Sequence, residues 1–335
     1  MKRHEQVGTV SLTPSLGTNE TAVVIDGIVS VRRPIPNSEL RVFPIAIGGN
    51  VFGWTADAQE AERILDRYAH FGGNFIDTAD SYAGGRSEIM IGNWMRFRRN
   101  RDDLVVATKV GKGPDHPGVT TRAISAAVED SLRRLRTDRI DLLYLHVDDP
   151  EVPFEQTLLA VDELIRAGKV RAFGASDHAG NRLVEARIAS AQLGVARMVA
   201  VQNQYNLMHR REHEQEVARV ARDLELAVMP RFALASGFLT GKYRTRGDVA
   251  RSERRGEIAE YLTRSGLRVL AALDKVASEQ ESTPAAVSLA WLLSKPNVVA
   301  PVVSASRAEH VDDFATATRL RLSRHQLLEL DRASS

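Results

Sequence analysis

Four side chains able to hold or pass a proton stand at, or just beyond, the ends of short apolar runs. Asp77 closes NFID (74–77), Tyr82 follows five residues later, Lys109 follows LVVAT (104–108), and His146 closes IDLLYLH (140–146). The pair Asp177-His178 follows another run, VRAFGA (170–175). Each has a plain structural explanation. Asp77 could cap a turn before Thr78, Lys109 could be a strand-end surface lysine, and Tyr82 a half-buried loop aromatic. A single histidine ending an apolar strand, such as His146, is commonly a satisfied core residue. Their order changes the reading. Asp77, Tyr82, Lys109 and His146 follow the second, third and fourth strand-like runs. In a parallel barrel those ends form one neighbourhood at the mouth, where chemistry is carried out.

The elements that would hold them repeat in a strand–helix rhythm from Pro44 onward. Strand candidates are FPIAI (43–47), NFID, LVVAT, IDLLYLH, VRAFGA, MVAVQ (198–202), LAVMP (226–230) and NVVAP (297–301). Helical periodicity is clearest over 57–71, 86–99, 121–136, 154–168, 180–193, 211–223 and 283–294, with Thr121 as an N-cap and Gly168 and Gly194 as stops. Eight nearly continuous apolar runs alternating with helices predict an α/β fold, a (β/α)8 barrel. A doubly wound sheet would place a Gly-rich fingerprint after its first strand. The nearest string, Gly111-Lys112-Gly113-Pro114, lacks the third glycine and puts proline where a helix would begin. The Asp26-Gly27 pair between AVVI and IVSV predicts an N-terminal β-hairpin, placed to close the barrel floor or to make a subunit contact in a homo-oligomer. Residues 1–20 read as a flexible tail and 21–335 as a single domain. A Gly- and Arg-rich loop at 232–264 and a tail at 303–335 with two extra helices exceed the repeat.

Composition narrows the function. Among 335 residues, 45 Lys and Arg stand against 43 Asp and Glu, with no block of one sign, which argues against nucleic acid as a partner. The absence of cysteine excludes disulfides, thiolate metal sites, iron–sulfur clusters and cysteine nucleophiles. No apolar run reaches membrane-spanning length and residues 1–20 carry no apolar signal core, so a cytoplasmic protein without membrane contact is expected.

The string Asn74-Phe75-Ile76-Asp77-Thr78-Ala79-Asp80-Ser81-Tyr82, with Gly84, Ser87, Glu88 and Gly92, resembles the first signature of the aldo-keto reductases. Val106-Ala107-Thr108-Lys109-Val110 resembles the segment carrying their lysine, and Asp141 to His146 the one carrying their histidine. The likeness runs on through Gly168 to Arg171, Gly174 to Ser176, Gln202, Tyr205 to Leu207, Ser236 to Tyr243 and Leu289 to Trp291, spanning about residues 40–333. Its flavour is that of the bacterial and potassium-channel-β-like branch. The resemblance implies reduction of an aldehyde or ketone with NADPH. Tyr82 is then the general acid, Lys109 its electrostatic partner, Asp77 the carboxylate holding Lys109, and His146 the group that positions the substrate oxygen, with Trp54 also beside substrate. A free phenol, with pKa near ~10, is a weak acid at neutral pH, and a neighbouring ammonium stabilises its phenolate. The resemblance also implies cofactor contacts. These come from Gly48, Gly49 and Asn50, from Ser176, Asp177 and Gln202, from Arg231, Phe232, Ala233, Leu234, Ala235, Gly237 and Lys242, and from Val303, Ser304, Ser306, Arg307, His310 and Asp313. Arg and Ser groups at 304–307 suit a 2′-phosphate and favour NADP over NAD. Three positions depart from the family pattern: Asp177 for the usual Asn, Arg231 for the aromatic that stacks on nicotinamide, and Phe314 for an Asn at adenine. A guanidinium plane can also stack, but its charge repels the oxidised ring.

Two other functions compete. One is a cofactor-binding regulatory subunit of the channel-β type, which multiple-turnover NADPH consumption would exclude. The other is a zinc hydrolase built on His209-Arg210-Arg211-Glu212-His213, which matches an H-x-x-E-H pattern. Its highly charged helix instead reads as a solvated outer face, so no metal is expected. Gly237 to Lys242 is not a phosphate-binding Walker loop, because only three residues separate the glycines and Tyr243 stands where Ser or Thr is needed. The arginines of 244–264 either form a solvated surface loop or, over the mouth, would suit a bulky or anionic carbonyl, such as a natural-product or sugar ketone.

Overall fold

The computed structural model describes residues 8–10, 21–25 and 28–335. Strands β1 (Gly8–Val10), β2 (Thr21–Ile25), β3 (Ile28–Pro34) and β4 (Arg41–Val42) form an antiparallel sheet in chain order. Ile25 pairs with Ile28, the register of a two-residue hairpin, as the Asp26-Gly27 pair predicts. Of the expected tail, Gly8–Val10 pairs with β2, and the rest lies outside the described residues.

The barrel follows. Strands β5 (Ala46–Gly48), β6 (Phe75–Asp77), β7 (Val105–Val110), β8 (Ile140–Leu145), β9 (Val170–Ser176), β10 (Ala200–Gln202) and β11 (Ala227–Val228) pair in parallel, each with the next. The eighth, β12 (Val302–Val303), pairs with β5. Val298 bridges Val228 just before it, so the last segment touches both the first and the seventh strands and closes the ring. This is the expected (β/α)8 barrel. The last strand sits past the expected NVVAP run, because Asn297 and Val299 bond to Val228 of β11 while only Val302–Val303 ladder with β5.

Helices α1 (Ala58–His70), α2 (Arg86–Arg98), α3 (Thr121–Leu135), α4 (Phe154–Arg166), α5 (Gly180–Leu193) and α6 (Ala218–Asp223) follow the corresponding strands. Thr120, not Thr121, caps α3, its hydroxyl accepting from the Ala123 amide. Gly168 and Gly194 take the left-handed conformation that ends α4 and α5, at φ of 74° and 65°. The 232–264 segment is not an open loop. It carries a 3-10 turn (Ala235–Thr240) and the short helices α7 (Arg246–Ala250) and α8 (Arg255–Tyr261). Then α9 (Arg264–Glu279), α10 (Pro284–Leu293) and the two tail helices α11 (Val311–Arg319) and α12 (Arg324–Ala333) complete the chain.

Alternation along the strands sorts two cores. Ile47, Ile76, Val106, Leu143, Phe173 and Val201 meet the helix layer. Ala46, Phe75, Val105, Ala107, Leu142, Tyr144, Ala172 and Ala200 fill the barrel with Ile35 and Leu40, which plug its floor from the turn between β3 and β4. Two residues beyond the interior Phe75, Ala107, Tyr144 and Ala200 come Asp77, Lys109, His146 and Gln202. The period-2 geometry that buries the core therefore lifts a ring of polar groups to its top. Gly174 allows β9 and β10 to approach: a Cβ there would sit 2.4 Å from the Ala200 carbonyl oxygen.

Candidate active site

Lys109 is the hub of that ring. Its Nζ lies 2.5 Å from Asp77 Oδ1 and donates to the Thr78 carbonyl at 2.8 Å and to the Tyr82 hydroxyl at 3.2 Å. The other Asp77 oxygen accepts from Gln202 Nε2 at 2.8 Å. Burial opposes the charge on Lys109, but Asp77 and then Tyr82 outweigh it and hold the ammonium above its usual range. Tyr82, half-buried on a 3-10 turn after β6, thus has a permanent cation beside its phenol oxygen. Its ring meets that of His146 edge-on at 6.2 Å. His146 is pushed down to about 2 by burial, then by Lys109, Lys112 and Arg231, so it is neutral at physiological pH. Its Nδ1 is buried and has no hydrogen-bond partner among the described residues. Together these groups offer a proton donor, a fixed positive charge and a neutral imidazole facing one space.

The turn bearing Tyr82 is fastened from beneath. Ser87 donates to the Gly49 carbonyl at 2.8 Å and pairs with Thr78 Oγ1 at 2.8 Å. Buried Glu88 accepts from Thr108 at 2.6 Å and from Arg134 at 2.6 Å. Asp80 accepts from the Gly111 amide, tying the loop after β7 to the same turn.

A cleft of about 800 Å³ runs from these groups across the barrel mouth. Gly48, Asn50, Asp77, Tyr82, Lys109, His146, Asp177 and Gln202 line it, as do Arg231, Phe232, Ala233, Leu234 and Gly237. Lys242, Val303, Ser304, Ser306, Arg307, His310 and Asp313 line its other end. Four residues expected at the site are not on its walls. Gly49 is buried against Ser87, Ser176 is buried and donates to the Gln202 carbonyl at 3.0 Å, and Ala235 is fully buried. Trp54 stands 53% exposed at the rim under the Arg254 guanidinium, 5.2 Å from its ring centre. Just past His146, Asp148 is held by Arg182 at 2.9–3.0 Å.

The two departures Asp177 and Arg231 meet each other. Arg231 Nε lies 2.7 Å from Asp177 Oδ1, and its backbone is tied to Asn203 and Tyr205. Asp177, Phe232, Ala235 and Ser236 all have φ between 47° and 58°, a left-handed backbone that costs roughly 1–3 kcal/mol per residue and gathers at functional sites. Asn206 steadies the run by donating to the Phe232 carbonyl at 2.9 Å. At the far end, Lys242, Ser306, Arg307 and His310 form a set of cations and donors suited to a phosphate. Burial and Lys242 keep His310 below the ordinary histidine range. The third departure, Phe314, is buried in the core and also lines this end.

Sequence reasoning did not single out Lys112 for the site, nor Arg251 and Arg254, which line the cleft from the 244–264 segment. Their only signal was density of positive charge. The H-x-x-E-H string behaves differently from expectation. His213 is 4% exposed, stacked on Tyr205 at 4.2 Å, while His209 pairs with Glu212 at the surface. A π turn (His213–Val217) interrupts the helix here, and His213 shares a buried face with Val217 and Ala221. Among the described residues no group of three or more His, Asp or Glu is gathered as a metal would need, and no helix is long and apolar enough to cross a membrane.

The comparisons agree with this geometry. A model of the aldo/keto reductase family matches residues 44–335. The aldo-keto reductase ausK of Aspergillus calidoustus is 32% identical, over 88% of this chain and 80% of its own. Norsolorinic acid reductase B of Aspergillus parasiticus is 29% identical, over 90% and 83%. A probable voltage-gated potassium channel subunit beta of Arabidopsis thaliana is 32% identical, over 82% and 87%. A closed parallel barrel with its polar ring at the strand ends, matched over nearly its whole length, leads to one conclusion: this chain belongs to the aldo/keto reductase family.

Proposed function

We propose that the protein reduces an aldehyde or ketone to an alcohol, with NADPH as the reductant and residues 21–335 acting as one unit. The observation that carries this is the Asp77–Lys109–Tyr82 chain of contacts, with neutral His146 beside it at the mouth of the cleft. The relatives named as reductases support it. A nicotinamide bound in the cleft supplies hydride to the carbonyl carbon. Tyr82 holds the proton that the carbonyl oxygen receives. Lys109 stabilises the charge left on the phenol oxygen, and Asp77 keeps Lys109 charged and in place. His146 positions the substrate oxygen with a neutral imidazole.

For the cofactor, Lys242, Ser306, Arg307 and His310 are the residues that would hold a 2′-phosphate, and this set favours NADPH over NADH. Gln202, Arg231 and the 232–237 run would line the nicotinamide half, and Gly48, Asn50, Val303 and Ser304 the opposite wall. The Asp77 contact uses one of the two Gln202 amide hydrogens, so Gln202 has its carbonyl oxygen and a second N–H to offer. Spectrophotometric NADPH oxidation with a carbonyl panel, from small aldehydes to bulky ketones, tests the reading. Turnover that disappears in Lys109→Met supports it. Tight NADPH binding without turnover on any member would favour a regulatory role like that named for the potassium-channel relative.

A further inference from the structure

One wall of the cleft beside Tyr82 and His146 carries two cations and a single anion. Arg231 lies over the Phe232 ring, 4.7 Å from its centre, and is hydrogen-bonded at one edge. Its Nε meets Asp177 Oδ1 at 2.7 Å, and its two terminal nitrogens make no hydrogen bond to any described residue. Lys112 Nζ reaches the other oxygen of the same carboxylate only at 3.7 Å and is 43% exposed. Asp177 is thus shared, and the wall keeps a net single positive charge. Lys109 and Asp77 beneath it cancel one another. Across the cleft, Arg251 and Arg254 outnumber Glu253. The low proton affinity of His146, to which Lys112 and Arg231 contribute after burial and Lys109, reports the same positive field.

We infer that the substrate is a carbonyl compound bearing a carboxylate, which pairs with the open edge of Arg231 and with Lys112 while its carbonyl meets Tyr82 and His146. This rests on the reductase reading and adds the substrate's class. A planar carboxylate matches a guanidinium edge with two parallel hydrogen bonds, and one negative charge matches the net charge of the wall. Lys112 then serves as a second, point-like partner. Neutral carbonyls of the same shape leave both cations facing only Asp177.

The test compares 4-carboxybenzaldehyde with its methyl ester, which are close in size; the ester withdraws electrons more strongly, so its aldehyde is the more electrophilic and intrinsic reactivity works against the acid. The acid is expected to have a kcat/KM at least tenfold above that of the ester. That ratio should fall toward one in Lys112→Gln and as NaCl is raised from 50 to 500 mM. A wild-type ratio near or below one, or a ratio unmoved in Lys112→Gln, overturns the inference and leaves the reductase reading standing. If neither aldehyde is reduced, the wider carbonyl panel decides the reductase reading, and binding still decides the subsite. Calorimetric titration of 4-(hydroxymethyl)benzoate should show saturable binding, weakened at least fivefold in Lys112→Gln and absent for benzyl alcohol. No saturable heat, or an affinity indifferent to Lys112→Gln, overturns the subsite directly.

Discussion

Asp77→Asn isolates the buried pair on which the site rests. Both side chains are 1% exposed and 2.5 Å apart. The substitution keeps the shape of residue 77 but leaves the Lys109 ammonium with the Thr78 carbonyl and the Tyr82 hydroxyl as its remaining partners. An uncompensated buried charge costs about 3–5 kcal/mol, a large share of a domain's total stability of roughly 5–15 kcal/mol. Asparagine also has one donor and one acceptor where Asp77 accepts on both sides, from Lys109 and from Gln202, so one contact becomes donor against donor unless Gln202 turns. The pH dependence supplies a sign. In the native protein Lys109 is held above its ordinary 10.5. The pair's stabilisation is therefore complete below that pH and is lost as pH rises through the native-state value. In the variant, burial acts without a counter-ion and pulls the lysine below its unfolded value. The penalty is then greatest at neutral pH and shrinks as pH climbs toward 10.5. Urea unfolding followed by circular dichroism at pH 7.0, 8.5 and 9.5 reads both effects. The variant should be about 3–5 kcal/mol less stable at pH 7.0, with the gap closing at each step. A gap below about 1 kcal/mol at pH 7.0, the scale of an exposed pair, or one that widens with pH, refutes the argument.

Three further outcomes follow from the same contacts. His146, held near 2 by burial and three cations, should show no NMR titration between pH 5 and 8; a midpoint near 6.5 would mean that the imidazole is solvated. His213, lowered to about 4 by burial from its ordinary 6.5, contributes stability that is complete above 6.5 and drains away as pH falls toward 4. His213→Leu should shrink the stability difference between pH 7 and pH 4 by about 3 kcal/mol, and an unchanged difference would place that imidazole in water. Asp177→Asn removes the anion that offsets Arg231. It should weaken NADP+ relative to NADPH by about fivefold, as a Coulomb change on the order of 1 kcal/mol in a partly screened site requires; fluorescence titration of both cofactors would expose an unmoved ratio.

The barrel and its polar ring were legible because both follow from one periodicity. Apolar runs ending in Asp77, Lys109 and His146 can face a barrel interior only by carrying those groups to its top. Short-range chemistry was less legible. Thr120 and Thr121 are equally good caps in sequence, and only backbone geometry selects Thr120. NVVAP hides the last strand because Pro301 sits between the residues that bond to β11 and those that ladder with β5. The dense charge of HRREHEQEVARVAR masked the spacing of His213, which lies four and eight residues before Val217 and Ala221 and shares their buried face. Helix α9 was obscured because its cap, Thr263, lies at the end of an arginine-rich stretch with no apolar period of its own. The meeting of Asp177 with Arg231 joins positions 54 apart, and no local pattern links them.

The central claim is that Tyr82 delivers the proton while a carbonyl carbon receives hydride. It is tested most directly with NADPH deuterated at its transferable C4 position and one accepted carbonyl substrate, assayed on wild type and Tyr82→Phe. The account predicts an alcohol carrying deuterium on the former carbonyl carbon in the wild type. In Tyr82→Phe it predicts turnover lower by about 10²–10⁴-fold, with NADPH affinity within about twofold of wild type. Most of the wild-type rate persisting without the hydroxyl, or product lacking the label, would contradict it.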